Sequence, residues 1–171
     1  MFKKLKQRSF QKVIERNLKN RDFSQVNAPL KTLGFLVNED AFKALEQLQN
    51  CDVFFGIQPK DLKVFSFVTM SKKAPSLRQN QVSNKDFSWN GLITNLNVKE
   101  FLDIPFDVLV GYYEDKNQYL DLMVTQSKAK FKVGISSADP AIYDLLIDIK
   151  LQEHEAFKKE LKKYLQVLGK L

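Results

Sequence analysis

Leu33-Gly34-Phe35-Leu36-Val37 is an apolar run of strand length, and beyond it the apolar positions shift to Phe42, Leu45 and Leu48, close to the 3.6-residue period of a helix. A second strand-like run follows, Leu62-Lys63-Val64-Phe65-Ser66-Phe67-Val68. Strand, helix and strand within residues 33–68 have the length and order of a βαβ unit, whose crossover should be right-handed. Asn38 or Asp40 can cap the helix, Gly56 can end it, and Pro59 lies just beyond. The run Val53-Phe54-Phe55 also fits a strand that hairpins through Gln58-Pro59-Lys60-Asp61; a helix continuing to about Phe55 is the preferred reading.

Working outward, Phe106-Asp107-Val108-Leu109-Val110-Gly111-Tyr112 reads as a buried strand, and Tyr119, Leu120, Met123 and Val124 as one side of a helix. Lys130-Phe131-Lys132-Val133-Gly134-Ile135 reads as another strand. Only six residues separate Ile135 from the run 142–149, too few for a parallel crossover, so that run is expected to pair antiparallel at an edge, turning at Asp139-Pro140. Phe157, Leu161, Tyr164, Leu165 and Leu168 make one face of a closing helix, with Gly169 just past its end. Residues 71–86 look like a polar loop, Phe87-Ser88-Trp89 like a short strand or aromatic plug, and 98–104 like a short helix ended by Pro105. The pattern predicts a three-layer, Rossmann-like α/β domain: a mixed, mainly parallel sheet of about five strands with an antiparallel edge strand and helices on both faces.

The chain ahead of this domain has a different character. Lys4, Arg8, Lys12, Arg16 and Lys19 recur every four or three residues, so a helix would stack them in one stripe, with Phe2, Phe10, Val13, Ile14 and Leu18 mainly opposite. Residues 1–21 hold eight Lys and Arg against Glu15, while residues 22–171 hold nineteen charges of each sign, so the chain's whole net charge of +7 sits in this segment. The organisation read from this is a basic amphipathic helix over 1–21, a linker over 22–31 carrying Phe23, Val26 and Asn27-Ala28-Pro29, and a single α/β domain over 32–171.

Cys51 is the only cysteine, which rules out an intramolecular disulfide and a multi-cysteine metal cluster and fits a reducing compartment. Lys12, Arg16 and Lys19 interrupt any apolar stretch a secretion signal would need, and no run approaches the roughly 18 apolar residues of a membrane span. The expected location is the cytoplasm.

Motifs for catalysis are missing. The first strand-to-helix turn, Val37-Asn38-Glu39-Asp40, has no glycine and two carboxylates where a dinucleotide fingerprint needs backbone close to phosphate, and no P-loop is present. The acidic pair Glu39-Asp40 resembles that of response-regulator receiver domains, whose pair helps bind a metal ion, but the preferred reading is that the two carboxylates favour the N-terminus of the following helix. Those domains also place a phosphate-accepting aspartate at the end of a central strand, where this chain has Gly111 and Tyr112, so phosphotransfer is not expected. His154, between Glu153 and Glu155, is expected to be solvent-exposed and to take no catalytic role, and no metal centre or cofactor is called for. The one small-ligand site the pattern offers is the rim beyond the strand ends, collecting Asn38, Ser71, Lys72, Lys73, Tyr112, Tyr113, Ser136 and Ser137, where two lysines and several hydroxyls could hold an anion in an enzyme or sensor.

In Phe106-Asp107-Val108-Leu109-Val110, Ser127-Lys128-Ala129-Lys130-Phe131-Lys132-Val133-Gly134-Ile135 and Lys163-Tyr164-Leu165-Gln166-Val167-Leu168, the chain resembles a family of small uncharacterised bacterial proteins of unknown function. The resemblance implies a bacterial cytoplasmic protein and brings no activity or site. Function therefore rests on the stripe. Concentrated positive charge on one helix suits a polyanion, and the expectation is a non-catalytic module in which Lys4, Arg8, Lys12, Arg16 and Lys19 contact RNA phosphates, alone or within a ribonucleoprotein. The alternative is a peripheral membrane protein whose Phe2, Leu5, Phe10, Val13 and Ile14 enter an anionic surface. A protein partner or homodimer is compatible with either.

Overall fold

The computed structural model describes residues 1–71 and 76–171. Six strands, β1 (Leu33–Asn38), β2 (Leu62–Val68), β3 (Gln81–Ser83), β4 (Val108–Tyr112), β5 (Lys132–Ile135) and β6 (Leu145–Ile147), form one sheet in the order β3-β2-β1-β4-β5-β6. Among the described residues every pairing between these strands is parallel. The helices are α1 (Phe2–Lys19), α2 (Leu45–Gln49), α3 (Asp52–Phe55), α4 (Leu96–Asp103), α5 (Gln118–Gln126) and α6 (His154–Val167).

The near-continuous apolar character of β1 and β4 follows from burial on both faces, as a parallel sheet requires. On one side, Phe35, Val37, Val110, Tyr112 and Val133 pack under α2, α3 and α6 through Leu48, Phe55, Phe157, Leu161 and Leu165. On the other, Leu36, Phe65, Phe67 and Leu109 meet α1, α4 and α5 through Phe10, Phe101, Leu120 and Met123. Three layers result, with α1 in the same layer as α4 and α5.

The expected antiparallel edge does not exist: β6 runs parallel to β5, with Val133 opposite Leu145 and Ile135 opposite Ile147. Gly111 and Gly134, neighbours in register, explain how nine connecting residues without a helix return to the starting end. Together they leave a shallow channel across the sheet in which the Tyr143 ring lies. A Cβ on Gly134 would stand 2.7 Å from Tyr143 Cδ2, and one on Gly111 would strike the Tyr143 hydroxyl. The connection turns at Asp139, whose carbonyl accepts from Ile142 N–H at 3.1 Å, and then runs flat against the sheet. Asp139-Pro140 is thus a turn, but not one that reverses the strand.

Two further details differ from the sequence reading. The first crossover is two short helices rather than one: Asn38 ends β1 in a turn, accepting from Asp40 N–H on its side chain, and Gly56 closes α3 in the left-handed region at φ +69. The polar stretch read as a loop contains β3, which pairs with β2 from Ser66 to Val68.

Candidate functional site

α1 is held by packing rather than by its own preferences. Three like-charge i,i+4 pairs along the stripe oppose it by roughly 1 kcal/mol in sum, whereas burying Phe10 and Ile14 favours docking by about 1.5–3 kcal/mol each. Phe10 is fully buried and Ile14 nearly so, with the Phe10 ring edge-on to Tyr119 at 5.4 Å between centroids. Lys6 donates to the Tyr119 hydroxyl at 2.9 Å. At the far end Arg21 forms a two-pronged ion pair with Asp144, 2.9 and 2.5 Å, which fixes the chain after α1 to the start of β6. Lys6, Phe10 and Ile14 lie on one flank of the helix and settle its rotation, and Arg21 fixes its exit.

Lys4, Arg8, Lys12, Arg16 and Lys19 consequently face solvent, and none of them is in an ion pair among the described residues. Grooves run along both sides of this ridge. One, of about 870 Å³, lies between the first half of α1 and the start of α5 and is lined by Lys4, Gln7, Arg8, Gln11, Lys116 and Gln118 among others. The second, of about 770 Å³, lies between the second half of α1 and residues 90–94, and is lined by Arg16, Asn17, Asn90, Lys99 and Gln126 among others. Among the described residues neither groove has a carboxylate in its lining. Cations and carboxamides without carboxylates match the needs of a phosphodiester chain, whose phosphates take charge-assisted hydrogen bonds and whose bases offer donors and acceptors. Lys116 and Gln118 lie in a different part of the sequence and carry no pattern that would have pointed to this place.

The residues expected at the sheet rim do not form one site. Tyr112 turns toward α6 and donates its hydroxyl to Leu151 O at 2.5 Å, while Tyr113 turns to the opposite face and donates to Asp121; neighbours in a strand point to opposite sides. Asn38 is engaged by Asp40 N–H. Ser71 is exposed and its carbonyl accepts from Lys85 Nζ. Lys72 and Lys73 fall outside the described residues. Ser136 donates to Asp148, and Ser137 accepts from the Asp115 N–H. The strand ends leading to Ser71 and Ser136 lie three strand spacings apart, ~14 Å, and the notch around Ser136 and Ser137 is lined by Glu114, Asp115, Asp148 and Glu153 against the single Lys150. Such a notch repels anions.

At the turn after β1, where a dinucleotide-binding sheet places phosphate, this chain places Glu39. Burial pushes its carboxyl up, but hydrogen bonds from Ser66, Arg78 and Gln81 and the Arg78 charge outweigh this and hold it below the usual carboxylate range. Arg78 makes contacts of 2.9 and 2.8 Å, and Ser66 one of 2.6 Å. Asp40 accepts from Thr69 N–H, so both members of the acidic pair serve the loops around β2. His154 is half-buried rather than fully exposed, with Nε2 3.1 Å from Glu155. Cys51 is buried, and burial pushes its thiol up to about 11. No group of three or more His, Cys, Asp or Glu side chains fit to hold a metal ion occurs among the described residues.

One polar cluster escaped the sequence reading. Tyr143 donates to the Tyr113 hydroxyl at 2.6 Å, Tyr113 donates to Asp121 Oδ1, and Asp121 Oδ2 is buried without a partner. Burial pushes the Asp121 carboxyl up to about 6, with Asp139 adding to the shift and Tyr113 and Lys116 opposing it.

Fold and surface together define a doubly wound, Rossmann-like α/β domain that carries a docked basic helix and, at its first turn, a tied carboxylate in place of a phosphate cradle. The chain belongs to the DUF6913 family, a family of unknown function, whose model matches residues 6–168 and so spans α1 as well as the sheet. No curated protein and no solved structure matches it. No helix among the described residues is long and apolar enough to cross a membrane.

Proposed function

We propose that the protein is a non-catalytic RNA-binding module of the bacterial cytoplasm, engaging phosphates with Lys4, Arg8, Lys12, Arg16 and Lys19, alone or as part of a ribonucleoprotein. The observation that carries this reading is the exposure of all five side chains, free of ion pairs among the described residues, on a helix whose apolar side is committed to the domain. Carboxylate-free grooves on either side of the ridge support it. The buried lone thiol fits the reducing compartment that the proposal assumes.

The test is binding of an unstructured RNA strand to the native chain and to a Lys4→Glu, Arg8→Glu, Lys12→Glu variant over a range of salt. Native binding should weaken steeply with salt, and losing three phosphate contacts should flatten the log–log slope by about 2. Unchanged affinity in the variant overturns the proposal.

A membrane surface is the second reading, favoured by the exposure of Phe2 and Leu5 beside the stripe. Phe10 and Ile14 are buried in the domain and Val13 packs against it, so they are withheld from a bilayer while α1 stays docked. Co-sedimentation with anionic but not neutral vesicles would favour that reading.

A further inference from the structure

We infer that Trp89 is a stacking platform for an unpaired base, so that the polyanion engaged beside α1 is single-stranded RNA; this rests on the RNA reading above and narrows it. Trp89 is the only tryptophan of the chain and is 63% exposed. An indole left in water offers a flat face on which a base can stack, the means by which single-strand binders hold unpaired bases.

The ring is carried on a well-determined turn. Ser88 N–H donates to Leu92 O at 2.8 Å, Gly91 N–H to Ser88 O at 3.1 Å, and Leu92 N–H to Ser88 Oγ at 3.0 Å. Phe87 and Ile93 pair across the base of the turn, and both are buried. Gly91 adopts φ +83, and a Cβ there would stand 3.2 Å from Val13 Cγ2 on α1 and 3.2 Å from Leu122 Cδ1 on α5. The turn therefore sits directly on the helix that bears the basic stripe, with Trp89 two residues from that contact.

The groove beside the turn has the chemistry of a nucleotide step. Arg16 and Lys99 supply positive charge for a phosphate and Gln126 a carboxamide for base edges, while Asn17, Asn90 and Thr94, which already bond Thr125, Ser88 and Asp86, offer their remaining polar valences. Duplex RNA keeps its base faces stacked inside and cannot use an exposed indole, whereas a single strand can.

Because Trp89 has no other tryptophan to mask it, its emission reports directly. The experiment follows Trp89 fluorescence and the anisotropy of end-labelled RNA, using an unstructured mixed-sequence strand, a blunt duplex, and vesicles of anionic or neutral phospholipid. The proteins are the native chain, Trp89→Ala, Trp89→Phe and the triple charge reversal. The single strand should quench Trp89. Trp89→Ala should bind the strand about ten- to a hundredfold more weakly while holding duplex affinity within about twofold, and Trp89→Phe should recover part of the loss.

If Trp89→Ala binds the strand as the native chain does and emission is unchanged, while the charge reversal weakens binding, the stacking inference is overturned and the RNA reading stands. If the native chain binds no RNA at low salt, both fall. A blue shift of Trp89 with anionic vesicles, without quenching by RNA, overturns the inference in favour of a lipid-facing surface.

Discussion

Gly134→Ala should destabilise the domain although alanine fits strand backbone better than glycine does. Gly134 has no positive φ, so glycine is present for space rather than conformation. The added Cβ would stand 2.7–2.8 Å from three atoms of the Tyr143 ring, roughly 1 Å inside an optimal carbon–carbon separation. The ring has little room to retreat, since it is buried and its hydroxyl is tied to Tyr113. Overpacking of this kind costs about 1–3 kcal/mol, which for a chain of this size lowers Tm by about 3–9 °C. Removing the ring should reverse the sign. In a Tyr143→Ala background, Gly134→Ala should be neutral or stabilising by up to about 1 kcal/mol, giving a coupling energy of about 1–4 kcal/mol. Urea unfolding followed by circular dichroism on the four proteins of the cycle measures it. A Gly134→Ala protein within about 0.5 kcal/mol of native, or a cycle that closes additively, would refute the account of why so short a connection can cross the sheet.

Phe10→Ala should cost about 3–5 kcal/mol by leaving a cavity under α1, whereas Lys12→Ala on the exposed ridge should stay within about 0.5 kcal/mol; thermal melts separate the two. Asp121 gives a pH test. Its folded carboxyl titrates near 6 against an ordinary value of 3.8, so between those values the folded state holds the proton more firmly and stability falls as pH rises. The full difference is about 3 kcal/mol, present below pH 4 and lost by pH 7. In Asp121→Asn that decline should vanish, and superimposable stability–pH profiles for the two proteins would contradict it.

How far the sequence foretells the structure depends on how strongly each stretch is driven. β1, β2, β4 and β5 are legible because both faces of a parallel sheet are buried, and their runs are apolar almost throughout. β3 is three residues, two of them polar, and pairs only because β2 is already in place. The direction of β6 is not legible because a connection of this length without a helix suggests a hairpin; the relevant signal is two glycines, Gly111 and Gly134, whose pairing is apparent only once β4 and β5 are aligned. At the site, the stripe on α1 follows from helical spacing alone. The rim set does not assemble because Tyr112 and Tyr113, being adjacent, point to opposite faces, and because the loops after β2 and β5 follow strands that are not neighbours in the sheet. Lys116, Gln118 and Trp89 acquire meaning only from what lies beside them in space.

The sheet ends on both sides in strands of three residues, β3 and β6. An exposed strand edge is a template for uncontrolled accretion of other chains, and shortness is one of the ways proteins blunt it. With so few unpaired amides on offer at either margin, self-association by sheet extension is disfavoured, and assembly falls to the helices and the turns between them.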